Sequence, residues 1–401
     1  MYYTILVILM QKKSFFRYSK LAVSIKSKGR IHSEPLSSLR SPYQRDRDRV
    51  IHSTAFRRLK HKTQVFVNTA GDHYRTRITH SLEVAQIART LAKFFNLNED
   101  LCETLSLSHD LGHTPFGHAG EDALNNCMMP YGGFDHNIQT VRIVTLLENK
   151  YYNFKGLNLS IETIDGLVKH NGRVPNLDKF DSILGINFFK NKINYLKNPS
   201  LEAQLASISD DIAYNSHDLE DGLRANLYTI NDLKNIPILS RVIAKHKKFI
   251  KLKGIELVLR QIIRDIINEM VNDVILNTQK NLKKFKIKSI KDICNSENSL
   301  VSFSKEMQLF DMTIKSFLKE RMYFSKNVLK KTNNGKKIIK ILFSKIKKNP
   351  SKFIKKSLYK KNNIERNISD FIAGMTDRYA INLYNSLKWT HLKYIKKKYK
   401  I

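Results

Sequence analysis

Histidine and acidic residues gather in the first third of the chain. Eight of the 13 histidines lie within residues 52–136, and one of them forms the dipeptide His109-Asp110 at the end of an apolar helical stretch. Adjacent side chains on a helix diverge by about 100°, but near a helix end an imidazole and a carboxylate can approach one ion from two sides. Lone histidines are usually ordinary surface or core residues, and we interpret these four in that way: His32, His52, His246 and His391.

A divalent metal site is the chemistry that this cluster suggests. His80 from an earlier helix and an aspartate from the helical stretch 201–222 would complete His109 and Asp110 to two imidazoles and two carboxylates. Such a mixed nitrogen and oxygen set suits Mn²⁺, Fe²⁺, Mg²⁺ or Zn²⁺ and leaves positions open for water or phosphate. The alternative is a buried polar cluster or a group of helix caps without an ion.

Arginines that could neutralise phosphate groups precede the histidine cluster. Arg45, Arg47 and Arg49 alternate with Asp46 and Asp48, so they are either phosphate ligands or an internally paired surface stretch. Planar guanidinium groups suit bidentate phosphate contacts. Six more basic residues lie between this stretch and His80, namely Arg57, Arg58, Lys60, Lys62, Arg75 and Arg77. No P-loop glycine pattern is present, which argues against a Walker-type nucleotide hydrolase.

Helices must position nearly all of these residues. Apolar residues recur at helical spacing after Thr79, which we predict to be an N-cap, and again over 101–107, 138–147, 201–212 and 238–277. Strand patterns are scarce, with one short candidate at 65–67. The chain is therefore predicted to be all-α, with its chemistry in the first 230 residues.

Composition excludes several classes of protein. The chain has 401 residues, 42% of them hydrophobic, which is enough for a sizeable core, and no apolar run long enough for a transmembrane helix. Three scattered cysteines form no disulfide framework, so a reducing, cytoplasmic compartment is expected. The apolar first ten residues precede Lys12 and Lys13, the reverse of a signal peptide, and are interpreted as an N-terminal extension or a misplaced start, with a weak surface anchor as the alternative.

Positive charge is concentrated in the C-terminal part. Of the formal net charge of +34, residues 231–401 hold 41 basic and 13 acidic residues. One interpretation is a solvated helix face in a lysine-rich protein, and the other is attraction for a polyanion such as single-stranded DNA. Few aromatic residues alternate with these lysines, which favours the first interpretation over base stacking.

Several ordered motifs resemble the HD-domain dNTP triphosphohydrolases, specifically the type 2 bacterial deoxyguanosinetriphosphate triphosphohydrolase-like proteins. The resemblance spans roughly residues 36–390, is weak across 235–365, and rests on eight segments: 41–59, 62–66, 75–85, 109–121, 133–137, 166–172, 210–219 and 370–380. It implies an HD-domain helical bundle with an additional basic helical C-terminal part. The resemblance implies three parts of the chain: an N-terminal extension over 1–35, an HD-domain metal-dependent phosphohydrolase core over 36–235, and a basic helical C-terminal region over 236–401 that contributes to the same fold.

The resemblance also implies roles for individual residues. One divalent ion would be held by His80, His109, Asp110 and Asp210, with Asp211 as the alternative to Asp210. The expected catalytic residues are His118, Glu121 and His136, with Glu121 orienting His118 for proton transfer. Residues expected to bind substrate are Arg45, Arg49, Arg58, Gln64, Arg77, His113, Lys169, Asp377 and Arg378.

The activity implied by the resemblance is hydrolysis of a dNTP, dGTP-like in kind, to the deoxynucleoside and inorganic triphosphate. Family members also form homo-oligomers, and a membrane association is not expected. Two alternatives remain open. One is another HD phosphohydrolase that acts on monophosphates or cyclic nucleotides. The other is a nucleic-acid-binding or nucleotide-sensing protein, which the basic C-terminal part would favour.

Overall fold

The computed structural model describes residues 19–64, 74–184, 189, 192–354 and 363–387, and these residues form an all-α fold. Within those ranges no strand is present, and the extended contacts are isolated bridges such as Thr63 with Thr76. The all-α prediction is confirmed. The strand candidate at 65–67 lies outside the described residues, as do residues 1–18 with their apolar first ten positions.

Sixteen α-helices with described bounds follow one another along the chain. They are α1 (Pro42–Ile51), α2 (Thr54–Arg58), α3 (Arg77–Phe94), α4 (Glu99–Ser108), α5 (Gly117–Met128), α6 (His136–Arg142), α7 (Ile161–Val168), α8 (Asp178–Leu184), α9 (Leu201–Arg224), α10 (Ile230–Leu233), α11 (Pro237–Lys253), α12 (Ile255–Lys284), α13 (Ile290–Asn295), α14 (Lys305–Leu318), α15 (Lys326–Lys348) and α16 (Ile364–Ala373). Tight 3-10 turns cover Leu59–His61, His109–Gly112, Met129–Tyr131 and Pro350–Lys352, and π-helical turns cover Ile143–Leu147 and Lys319–Tyr323. Residues 377–387 are also helical.

Local signals set where the helices of the site begin and end. Helix α3 starts at Arg77, and its N-cap is Thr76, whose backbone N–H donates to the Thr79 hydroxyl at 3.1 Å. The prediction that Thr79 is the N-cap was therefore wrong by three residues, because a threonine at the third helical position completes the same cap. The helices predicted across 238–277 are α11 and α12, which Gly254 separates with φ +82°, a conformation that favours glycine.

Three hydrophobic clusters hold the helices together. Core 1 joins α3 and α9 with α11, α12 and α14, and so contains residues from both sides of the predicted boundary at 235. Core 2 joins α1, α4, α6 and α7. Core 3 joins α5 with α15 and α16. The C-terminal helices thus pack into the same cores as helices that carry candidate site residues.

The described part of the predicted N-terminal extension also packs on the fold. Val23 is buried, and its backbone N–H donates to Glu202 Oε1 at 2.8 Å. Arg30 forms an ion pair with the buried Asp46. Among the described residues, no helix is both long and apolar enough to cross a membrane.

Candidate functional site

Three helices bring the predicted metal ligands together. Helix α4 ends at Ser108, and the following 3-10 turn presents His109 and Asp110. His80 comes from the first half of α3, and Asp210 from the middle of α9. Both helices pack against α4, so the four side chains meet where α3, α4 and α9 are in contact.

The distances within this group fit a single ion. One donor atom each from His80, His109 and Asp110 lies within 4.8 Å of the other two. Asp210 Oδ1 lies 2.8 Å from His80 Nε2 and 3.6 Å from His109 Nε2. We call His80, His109, Asp110 and Asp210 the HD cluster. Asp211 points elsewhere, since its carboxylate pairs with Lys315 at 2.7 Å.

His109 directs its Nε2 towards the other residues of the HD cluster. Its Nδ1 lies 2.7 Å from the carbonyl oxygen of Ser106, which can only accept, so Nδ1 carries a proton. Its Nε2 is buried and has no hydrogen-bond partner among the described residues. Burial lowers the pKa of His109, but Asp110 and Asp210 outweigh burial and raise that pKa to about 9. The surplus negative charge that holds this extra proton is the charge that a divalent cation would neutralise.

Asp110 is held in its ionised form. Arg77 Nη1 donates to its Oδ2 at 2.7 Å, and His113 Nε2 donates to its Oδ1 at 3.0 Å. Burial alone would raise the pKa of Asp110, but the charges of Arg77 and His109 hold it well below its usual range. An ionised carboxylate is the form that ligates a metal.

A second cluster is centred on Glu121, in the first turns of α5. Its Oε1 accepts from His136 Nδ1 at 2.8 Å, and its Oε2 lies 3.4 Å from His118 Nδ1. The His113 ring stacks on the His136 ring with centroids 3.9 Å apart. Burial opposes ionisation of Glu121, but hydrogen bonds from His118 and His136 hold its pKa below the ordinary value. We call these four residues, His113, His118, Glu121 and His136, the Glu121 cluster.

The two clusters are connected and differ in exposure. His113 belongs to the Glu121 cluster and donates to Asp110 of the HD cluster. His118 is 64% exposed, whereas His113 is 3% exposed. His118 is therefore the imidazole of this cluster that bulk solvent or a bound substrate reaches most easily. The helical spacing predicted for His118 and Glu121 is confirmed, since both lie on α5.

The resemblance implies that the stretch Lys169-His170-Asn171 lies near the pocket, with Lys169 as the residue expected to bind substrate, but His170 is the one that contacts the HD cluster. The His170 ring stacks on the His109 ring with centroids 5.2 Å apart, and its Nε2 lies 3.6 Å from Asp210 Oδ2. Lys169 is buried and pairs with Asp165 at 2.6 Å. The signal was present in the segment 166–172, but only packing shows which of the two neighbours faces the HD cluster.

Two predicted substrate-binding residues lie beside the clusters. Arg77 is 2% exposed and contacts Asp110, and its Nε is buried without a partner among the described residues. Gln64 has a buried Oε1 that also has no described partner. Both residues lie close to Gly117, since a Cβ at that position would lie 3.3 Å from the backbone oxygen of Gln64 and 3.4 Å from Arg77 Nη2.

Other predicted substrate-binding residues make contacts that support the fold. Arg45 donates to the carbonyl of Pro35 at 2.7 Å. Arg49 is buried and donates to the carbonyls of Leu157 and Asn158, both at 2.9 Å. These contacts, together with ion pairs of Arg45 and Arg49 with Glu34 at 3.7 and 2.8 Å, tie α1 to neighbouring loops. A substrate-binding role for Arg45 and Arg49 stays a prediction.

The predicted residues Arg58, Asp377 and Arg378 lie where the N-terminal site segment meets the C-terminal part. Arg58 Nη1 donates to the carbonyl of Gly374 at 2.9 Å. Asp377 is 1% exposed, and its carboxylate accepts from the backbone N–H groups of Thr63 and Phe116, each at 3.0 Å. Arg378 is exposed. The contacts of Arg58 and Asp377 are within the protein.

Polar residues continue along α9 from the HD cluster. Tyr214 and Asp218 follow Asp210 at intervals of four residues, so all three lie on one face. Asp218 is buried and accepts a hydrogen bond from the Tyr323 hydroxyl. Burial raises the pKa of Asp218 to about 7, although the Tyr323 bond opposes this.

Comparisons with known proteins match this architecture. The family model described as "HD domain" matches residues 77–215, which contain both clusters, and the model described as "Phosphohydrolase-associated domain" matches residues 301–386. HD domains bind divalent metals, in agreement with the His/Asp set.

Similar proteins extend over almost the whole chain. A deoxyguanosinetriphosphate triphosphohydrolase-like protein of Pelagibacter ubique is 58% identical over 366 residues, which cover 91% of this chain and 98% of the relative. Relatives with the same description in Bartonella henselae and Bradyrhizobium sp. are 48% and 46% identical over 90% of this chain, and the matches cover 92% and 94% of them. The chain therefore belongs to the HD-domain family of deoxyguanosinetriphosphate triphosphohydrolase-like proteins, a family of phosphohydrolases.

Proposed function

We propose that the protein hydrolyses a deoxynucleoside triphosphate at the α-phosphorus, with release of the deoxynucleoside and inorganic triphosphate. The observation that supports the proposal is the contact of 3.0 Å between His113 Nε2 and Asp110 Oδ1, through which the Glu121 cluster, with groups suited to proton transfer, adjoins the HD cluster. A simple phosphatase needs only the metal set. The name shared by the relatives supports the dGTP-like substrate.

The four residues of the HD cluster would hold one divalent ion, Mn²⁺, Mg²⁺, Fe²⁺ or Zn²⁺. The buried, unpartnered Nε2 of His109 supports this fit, because a buried polar atom without a partner is costly. A bound divalent ion supplies Lewis-acid polarisation of a phosphoryl oxygen and lowers the pKa of bound water. Ser106 and Arg77 fix the orientation of His109 and Asp110.

His118 is the proposed proton donor to the departing 5′ oxygen. The leaving group is an alkoxide, which departs poorly unless it is protonated. Glu121 accepts from the Nδ1 side of His118, stabilises the protonated ring and leaves Nε2 to face the substrate. His136 competes for the same carboxylate and, being closer to it, helps to keep Glu121 ionised and oriented.

Positive side chains would neutralise the triphosphate. Arg77 is the best-placed positive side chain, and the uncharged Gln64 is a candidate hydrogen-bonding partner of the nucleotide. Both lie beside the clusters, and each has a buried polar atom without a described partner. Fixed positive charge aimed at the phosphate oxygens stabilises the charge of the transition state. Arg378, which is exposed, is a further candidate at the border of the C-terminal part.

Product analysis tests this proposal. The protein is incubated with the four dNTPs and Mn²⁺ or Mg²⁺, and the products are separated by anion exchange. We expect triphosphate and deoxynucleoside from the wild type and from His246→Ala, a histidine paired with Asp265 on α12, but not from His109→Ala. Release of pyrophosphate or monophosphate would instead indicate another HD phosphohydrolase, and no turnover with paired dNTPs would favour a nucleotide sensor.

Binding of a polyanion by the C-terminal part is a second candidate function, and one helix favours it. Helix α15 contains nine lysines and no acidic residue. At about 100° and 1.5 Å per residue, five of the lysines fall within an arc of about 80° and span about 33 Å; they are Lys326, Lys330, Lys337, Lys340 and Lys348. The opposite, apolar face is buried in core 3, so it is not available for insertion into a membrane.

Salt-dependent binding of oligonucleotides tests this second function. The face of α15 that carries these five lysines has no aromatic residue for base stacking, so contacts to the phosphate backbone should dominate. The triple change Lys330→Gln, Lys337→Gln and Lys340→Gln should reduce the slope of log K against log salt by about 2 for single strands and leave dNTP turnover unchanged. An unchanged slope would assign the lysines to a solvated face. A cytoplasmic location is proposed from the scattered cysteines, and a homo-oligomer, measurable by sedimentation velocity, is proposed from the family resemblance alone.

A further inference from the structure

The two clusters of the site are supported by different hydrophobic cores. The HD cluster lies on α3, α9 and the turn after α4, whose apolar residues belong to cores 1 and 2. The helix that carries His118 and Glu121 packs elsewhere, because Ala123, Leu124 and Met128 of α5 lie in core 3 with α15 and α16. Contacts at the border of these cores must therefore set how the two clusters face each other.

The loop that leads into α5 has an uncommon backbone conformation at this border. Phe116 is the N-cap of α5, with φ +64° and ψ +24°, and its side chain is buried in core 3. A residue with a side chain seldom adopts this left-handed conformation, and it does so where the surroundings impose it. Because His118 follows two residues later, whatever holds Phe116 also sets the position of His118.

A buried carboxylate of the C-terminal part holds this loop. Asp377 Oδ1 accepts from the backbone N–H of Phe116 at 3.0 Å. Asp377 Oδ2 accepts from the backbone N–H of Thr63 at 3.0 Å and also from the Thr63 hydroxyl. Both oxygens are thus used inside the protein, where they join two site segments, and the substrate-binding role of Asp377 stays a prediction.

A buried lysine makes a parallel connection. Lys62 is 2% exposed, and its Nζ donates to the carbonyl of His113 at 2.5 Å and to the carbonyl of Ala373 at 2.9 Å. Ala373 is the last residue of α16, where the carbonyl groups lack helical partners and favour a positive group. The loop 113–116 is therefore attached at both ends to residues 373–377.

Helix α15 contacts the same loop through Gly335, which packs against Phe116. A Cβ at this position would lie 2.8 Å from Cβ and Cγ of Phe116, closer than two carbon atoms can approach. Because Gly335 has no side chain, α15 packs directly against Phe116, whose backbone is in the left-handed conformation. We call Lys62, Gly335 and Asp377 the C-terminal clamp.

We propose that the C-terminal clamp positions His118 and Glu121 against the HD cluster, so that the phosphohydrolase-associated part of the chain is required for proton transfer rather than for binding the metal. The inference rests on the proposed function for its catalytic consequence. Lys62, Gly335 and Asp377 act as positioning residues, since their contacts are with the loop and not with reacting atoms. A displacement of about 1 Å at a reacting group lowers the rate by up to about 100-fold.

Gly335→Ala tests the clamp, with Asn334→Ala as its matched control. Both changes introduce alanine into the middle of α15, but Asn334 is exposed whereas Gly335 contacts Phe116. We expect Gly335→Ala to accelerate hydrogen exchange of the amides of 113–118, to leave Mn²⁺ content unchanged, and to lower kcat for triphosphate release by up to about 100-fold. Asn334→Ala should match the wild type in all three measurements.

A comparison of kcat, KM and Mn²⁺ content separates positioning from a loss of folded protein. His118 faces Glu121 and the rings of His113 and His136, so a displaced loop moves this imidazole away from the carboxylate that orients it. Clamp variants should therefore lower kcat per bound Mn²⁺ and leave KM unchanged, whereas misfolding lowers kcat and Mn²⁺ content by the same factor. Asp377→Asn, which offers one acceptor oxygen where Asp offers two, should act in the same direction if Gly335→Ala does not fold.

The outcomes are distinguishable. Faster exchange over 113–118 in either clamp variant, together with a lower kcat per bound Mn²⁺ at unchanged KM, supports the proposal. Unchanged exchange in a folded clamp variant, a loss of Mn²⁺ equal to the loss of kcat, or an unchanged kcat per bound Mn²⁺ would overturn it. If the wild type releases no triphosphate from any dNTP, the proposed function fails, and the exchange and Mn²⁺ measurements still decide whether the clamp holds the loop.

Discussion

Replacing Asp210 by asparagine should remove most of the metal affinity, whereas the same change at Asp211 should not. The Asp210 carboxylate lies 2.8 Å from His80 Nε2 and 3.6 Å from His109 Nε2. Burial alone would raise its pKa, but the charge of His109 and the contacts of Asp210 with His109, His170 and His80 hold that pKa well below the usual range, so Asp210 is ionised, the form that a metal ligand requires. Asp211, one position later, pairs with Lys315 at the surface.

The expected magnitudes differ for a structural reason. Loss of a residue that only orients a ligand weakens metal affinity by about 10 to 100-fold, so loss of the ligand Asp210 should weaken it by at least about 100-fold, or about 2.7 kcal/mol. The pair of Asp211 with Lys315 is about 40% exposed on both sides. Such a pair contributes roughly 0.2–1 kcal/mol to the free energy of unfolding and nothing to metal binding.

Thermal or urea unfolding with and without Mn²⁺ measures this difference. At a Mn²⁺ concentration 100 times the wild-type Kd, binding should stabilise the wild type and Asp211→Asn by about 2.7 kcal/mol. At the same concentration, Asp210→Asn should gain only about 0.4 kcal/mol, and titration calorimetry should give the matching Kd. Equal stabilisation of Asp210→Asn and wild type, or a selective loss in Asp211→Asn, would refute the assignment of the ligand.

Three further predictions follow from the same contacts. Arg77→Met should lower the free energy of unfolding by about 3–5 kcal/mol in urea, because it leaves the buried Asp110 charge without its guanidinium partner; an effect below about 1 kcal/mol would contradict a buried pair. His170→Ala should weaken Mn²⁺ binding by about 10 to 100-fold in calorimetry, since the ring supports His109 and Asp210, and an unchanged Kd would show that the stacking has no such role. Burial raises the pKa of Asp218 to about 7, so its contribution to stability is fully present below about pH 4 and is lost as pH rises through 7, by up to about 4 kcal/mol. Asp218→Asn should remove this part of the pH dependence in urea titrations, and identical slopes in the two proteins would count against it.

The helical character of the chain and the chemistry of the HD cluster could be predicted from the sequence because both depend on local patterns. Apolar spacing of three and four residues predicts helices wherever they later pack, and His109-Asp110 at the end of α4 indicates ligands before any contact is known. The helix that places His118 and Glu121 together was predicted on the same basis. Helix boundaries were less certain, as Thr76 and Thr79 show, because either threonine can complete a cap.

Choices between neighbouring residues and between distant segments were decided only by the tertiary structure. Asp210 and Asp211, like Lys169 and His170, differ by one position, and one step of about 100° around a helix determines which side chain faces the cluster. The contacts of Asp377 with Thr63 and Phe116 join residues more than 250 positions apart in the chain. A local pattern of apolar residues does not predict such a contact. The contact arises from the packing of α5 on α15 and α16, which depends on all three helices at once.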